Sequence, residues 1–153
     1  MQSTGAIAMS IELNGKPGAN FWIIGAAALV WNLIGLVFYF GHVTLSPDAL
    51  AKLPEAQQDF LTSTPTWATA AFATGVNAGV LASLLLLLRK AWAVPVFAVS
   101  LAGIILQDFD AFVLRGGFAV VGVNGVIIPS MVLVIAVLLF WYARAAKARN
   151  WLA

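Results

Sequence analysis

Phe21-Trp-Ile-Ile-Gly-Ala-Ala-Ala-Leu-Val-Trp-Asn-Leu-Ile-Gly-Leu-Val-Phe-Tyr-Phe-Gly41 contains no charged side chain. At ~1.5 Å per residue, these roughly 21 residues make a helix of about 31 Å, the thickness of the hydrocarbon core of a bilayer. Three similar runs follow. One extends from Trp67 to Leu88 and stops at Arg89-Lys90, one from Trp92 to about Phe112, and one from about Val123 to Ala143. The sequence thus predicts an all-α polytopic membrane protein, a four-transmembrane-helix bundle with spans near 21–41, 67–88, 92–112 and 123–143. The start of the fourth is the least sharply marked, because Phe118 to Val123 is apolar as well.

Composition agrees. Of 153 residues, 62% are hydrophobic and 9% charged, against ~25% charged in a soluble domain. Mean hydropathy is +0.97. So little charge cannot cover a water-facing surface. With no cysteine and one histidine, His42, disulfides, thiolate metal sites and histidine clusters are excluded. No metal site and no cofactor is expected. The net charge of +2 does not point to nucleic acid, because the basic residues cluster at the ends of the apolar runs.

That clustering sets an orientation. With both termini on one side, that side holds Lys16, Arg89, Lys90, Arg144, Lys147 and Arg149, and the other only Lys52 and Arg115. The excess places both termini in the cytoplasm. Trp22, Trp92 and Trp141-Tyr142 fall at cytoplasmic ends, and Tyr39 and Trp67 at outer ends, as an interfacial belt requires. Trp31 is the exception, near mid-span. The first run is too long for the apolar region of a cleaved leader, and no small-residue cleavage site follows it. Residues 1–19 read as a disordered tail, 20–144 as the transmembrane domain and 145–153 as a basic cytoplasmic tail.

In the outer loop, 42–66, Ser46-Pro47-Asp48 reads as an N-cap, an N1 proline and a first-turn acid. Pro54-Glu55 restarts a second turn, with Leu50, Leu53 and Phe60 free to lie on the bilayer surface. Thr64-Pro65 opens the second span. The loop reads as a structured connector, with a docking or lid role as the alternative.

Polar residues inside the spans each need a partner or a function. Asn32 and Asn77 fall at matching depth on the first two helices, and an amide–amide hydrogen bond is the economical reading, with a ligand contact as the alternative. Ala71, Gly75, Gly79 and Ser83 repeat every four residues, a small-residue stripe of the kind that lets helices pack closely. On the third helix Ser100, Gly103, Gln107 and Asp110 share a face, while Asp108 points ~100° away from Gln107. Thr74, Gln107, Asp110 and Ser130 form a candidate polar pocket open to the outside. The competing reading leaves both aspartates in the headgroup layer, satisfied by water or by Arg115. Pro129 removes a backbone bond and predicts a kink in the fourth helix.

The segments Trp31–Gly35, Ser46–Gln58, Thr64–Phe72, Leu84–Ala93, Gly125–Met131 and Trp141–Trp151 resemble a family of small bacterial inner-membrane proteins. The likeness covers most of the chain after Gly18. These proteins frequently carry the label "sugar transporter". The resemblance implies a four-helix protein of the bacterial inner (cytoplasmic) membrane.

No motif supports an enzyme. The expected function is a structural or accessory subunit, or an assembly factor, of a larger membrane complex. The alternative is a small oligomeric transporter of a polar solute. The expected partners are the lipid bilayer and other membrane subunits or further copies of the chain, and no nucleic acid.

Overall fold

The computed structural model describes residues 16–153, and among them it is all-helical. The expected disordered tail falls mostly outside the described residues, as does Glu12. Helix α1 is Ala19–Val43. Two short helices, α2 (Pro47–Leu50) and α3 (Glu55–Thr62), form the connector. They lead into α4 (Thr66–Leu87), α5 (Ala93–Asp108) and α6 (Gly117–Ala148). Four helices are long and apolar enough to cross a membrane, α5 counted together with its continuation to Leu114.

Helix α4 is the centre, packed against α1 on one side and α5 on the other, while α6 lies against α5. The small-residue stripe faces these neighbours. The Ala71 carbonyl and the Gly75 backbone lie so near Gly103 that a Cβ there would be 2.6–2.8 Å from them. The Ser100 hydroxyl donates to the Gly75 carbonyl at 2.7 Å. Gly79 abuts the Asn32 side chain of α1. Without Cβ atoms at 75, 79 and 103, the backbones approach closely enough for side chains on one helix to bond the main chain of another.

At the end that carries both termini, Phe21, Ala82, Leu86, Ala93, Phe97, Ala143, Ala146 and Leu152 form one buried cluster drawn from all four long helices. The basic segment 145–153 packs into this end. Residues 145–148 continue α6, and Asn150 turns the chain with φ +57°. The Ala153 N–H donates to the Arg89 carbonyl at 2.7 Å, and the Ala91 N–H to the Ala153 carbonyl at 2.8 Å. Arg89 Nε donates to the Trp151 carbonyl at 2.8 Å. The Trp151 ring meets Phe21 edge-on at 5.9 Å.

Two backbone features are absent from the sequence reading. After Asp108 the helix widens into a π-turn, Phe109–Leu114. Helix α6 is interrupted at Gly122 (φ +65°, ψ −175°), and not at Pro129. That region of dihedral space is essentially closed to residues with a Cβ. The break separates a first turn, from Gly117, from the long segment that follows, so the apolar stretch before Val123 is helix on a different axis.

Candidate functional site

The π-turn positions an ion pair between Asp110 and Arg115. Its wider ring carries a backbone bond from the Arg115 N–H to the Asp110 carbonyl at 3.0 Å, an i→i−5 contact that α-helical geometry does not make. The same spacing brings Arg115 Nε to Asp110 Oδ2 at 2.6 Å. Gly116, at φ +63°, then reverses the chain into α6. Arg115 also reaches back to the connector. Its Nη1 donates to the Phe60 carbonyl at 2.5 Å, and its guanidinium stacks 4.3 Å above the Phe60 ring. Phe60 is therefore packed against the bundle corner, partly buried under the Arg115 guanidinium. Asp110 is 2% exposed, so its buried carboxylate is neutralised by the partly exposed Arg115, as the burial of a charge demands.

Beside this pair lies a polar recess of about 100 Å³, with His42, Gln107, Thr64 and Thr69 among its lining residues. Of the four residues expected to converge, Gln107 and Asp110 meet here. Thr74 and Ser130 do not. Thr74 is exposed and donates to the Ala70 carbonyl at 2.8 Å. It neighbours Gly75 in sequence, which puts it ~100° off the inward stripe. Ser130 is exposed on α6. Thr64, Thr69 and His42 take their place, because the loop end of α4 and the end of α1 close the recess. The signal for Arg115 lay in its charge, five residues beyond Asp110. Nothing marked Phe60 as its platform. Asp108 forms no ion pair or side-chain hydrogen bond among the described residues and does not line the recess.

Asn32 and Asn77 share no hydrogen bond. Asn32 Nδ2 donates to the Ala28 carbonyl at 2.8 Å and to Ser83 Oγ at 3.2 Å. Ser83 in turn donates to the Gly79 carbonyl at 2.8 Å. Asn77 is exposed and returns its amide to the Ala73 carbonyl at 2.8 Å. The depths match, but Asn77 lies two residues from both Gly75 and Gly79, which turns it ~200° from the stripe. A double-mutant cycle between Asn32→Ala and Ser83→Ala should therefore give a coupling of ~0.6–1.7 kcal/mol. Asn77→Ala should be additive with Asn32→Ala in the same thermal melts. Additivity of Asn32 with Ser83 would mean that their bond contributes nothing.

A second cavity, about 190 Å³, lies between the four long helices, with Trp31, Phe38, Phe97, Ile104, Met131 and Ile135 in its walls. Trp31, expected near mid-span, is part of its wall. The polar groups at its margin, Asn32 and Ser100, are already bonded within the bundle. The two cavities share no lining residue.

The recess has room for about three water molecules at ~30 Å³ each, far below the ~300–1,000 Å³ usual for small-molecule sites. The Thr64 and Thr69 hydroxyls in it donate to the Phe60 and Pro65 carbonyls at 3.4 and 3.5 Å. No group of three or more His, Cys, Asp or Glu converges among the described residues. Comparison with protein-family models, with curated proteins and with solved structures gave no match.

Proposed function

We propose that this chain is a multi-pass protein of the bacterial inner membrane, with both termini in the cytoplasm, and that it serves as a structural or accessory subunit of a larger membrane complex. One observation carries this reading: the buried polar side chains are bonded inside the bundle. Ser83 holds Asn32, Ser100 holds the α4 backbone, and Asp110 holds Arg115. Polar groups committed to one another stabilise a scaffold and are not themselves free to recognise a solute. The six cations at the terminal end, against Lys52 and Arg115 at the other, support the orientation.

The alternative is an oligomeric transporter of a polar solute, as the label on the resembling family suggests. Its passage would have to form between protomers, because the cavity at the bundle's centre is walled by apolar side chains.

Extraction in a mild detergent, followed by native electrophoresis and mass spectrometry, tests the proposal. A different membrane protein at fixed stoichiometry is expected. A homo-oligomer whose melting temperature rises with added sugar would replace the proposal with the transporter reading. For orientation, alkaline phosphatase fused after Ala153 should be inactive, and activity there would reverse the topology.

A further inference from the structure

The end that carries the termini has six basic residues and no acidic one among the described residues, since Asp48, Glu55, Asp59, Asp108 and Asp110 all lie on the connector or the far end of α5. At this end the residues leading into α5, its first turn and the last turn of α6 flank a shallow, open recess of about 260 Å³ lined by Ala91, Trp92, Pro95 and Lys147. Lys147 forms no ion pair among the described residues. Trp92 is 71% exposed, its ring uncovered beside the cation. Arg144 stands one turn before Lys147 on α6, and Lys90 adjoins Ala91.

We propose that this recess is a binding site for one anionic phospholipid, resting on the membrane reading above. A phosphodiester carrying net negative charge meets Lys147, while the glycerol and upper acyl carbons lie on Trp92, Pro95 and Ala91. Charge complementarity selects the occupant, because a zwitterionic lipid brings its own cation into a region already crowded with them. Cationic recesses between helices at the cytoplasmic face take such headgroups. The α5 N-terminus is not the anion's ligand. The Ala93 and Val94 amides are spent on the Lys90 and Ala91 carbonyls at 3.0 and 3.3 Å, and Pro95 has no N–H. The lysine side chain therefore supplies the donor.

The test uses the full chain purified in detergent and titrated with dioleoylphosphatidylglycerol, with lipid retention read by native mass spectrometry. Dioleoylphosphatidylcholine and inorganic phosphate are the comparators. One phosphatidylglycerol per chain should be retained in preference to phosphatidylcholine. Lys147→Gln should weaken that retention about fivefold, the effect of one cation near an anionic lipid, while Lys147→Arg keeps it. Trp92→Ala should weaken retention with the charge intact, and Lys52→Gln, at the opposite end, should leave it unchanged. Equal retention of the two lipids, or undiminished retention in Lys147→Gln, would overturn the site. Displacement of the lipid by equimolar inorganic phosphate would show that the recess reads free phosphate and not a lipid. The membrane reading fails separately, if alkaline carbonate releases the chain from native membranes. A chain that stays in the pellet but shows no lipid preference loses only this site.

Discussion

Gly103→Ala is expected to lower stability by about 3 kcal/mol, the upper end of the cost of overpacking a close contact. The added methyl would stand 2.6 Å from the Ala71 carbonyl oxygen and 2.7 and 2.8 Å from the Gly75 nitrogen and Cα. All three are main-chain atoms of α4, so no rotamer change relieves them. Either α4 and α5 separate along their length, or the Ser100 bond to Gly75 is lost. Gly25→Ala is a useful contrast, because its Cβ would meet only the end of the Leu87 side chain, at 2.7 Å. Gly41 has no neighbour within 4 Å, so Gly41→Ala should be neutral or slightly stabilising through helix propensity. Thermal unfolding of the three variants in one detergent gives the ranking. A Gly103→Ala protein that melts with Gly41→Ala would mean that the helices are not in backbone contact.

Arg115→Met should cost about 3–5 kcal/mol, because it leaves the Asp110 carboxylate buried without its counter-ion. It also removes the bond to the Phe60 carbonyl and the stacking on that ring, so α3 should loosen from the corner it now holds. The double variant Asp110→Leu/Arg115→Met should recover part of the loss. Replacing both charges removes the desolvation cost that replacing one exposes. Unfolding measurements on the single and double variants decide the matter, with hydrogen exchange at α3 as a second readout. An Arg115→Met protein within about 1 kcal/mol of the parent would show that water already solvates Asp110.

The four long helices were legible because chain length and apolarity suffice to mark them. Thr66–Leu87 differs by one residue at each end from the stretch read in the sequence. Three other features turn on direction or on backbone conformation, which hydropathy does not encode. Asn77 has the depth that would suit Asn32 but the wrong azimuth, and the partner, Ser83, was concealed within the packing stripe. The π-turn follows from nothing in Phe109–Leu114 alone; it is stabilised by Arg115 and Gly116 beyond it. Gly122 carries no neighbouring turn residue that would distinguish it from Gly125, yet only Gly122 leaves helical dihedrals. The tail illustrates a different limit, since Leu152 is buried in a cluster that includes Phe21, Leu86 and Phe97, each more than fifty positions away.

Those separations also order the assembly of the fold. Asn32 and Ser83 are 51 residues apart, Phe60 and Arg115 are 55, and Arg89 and Trp151 are 62. Each must wait until distant segments have been brought together, at a loop-closure cost that local contacts do not bear. Asp110 and Arg115 are five residues apart. They can neutralise each other within a single turn while α5 is still a solitary helix. The pair then reaches the bundle as a dipole with no net charge of its own, and the Asp110 carboxylate is not carried alone into an apolar surrounding.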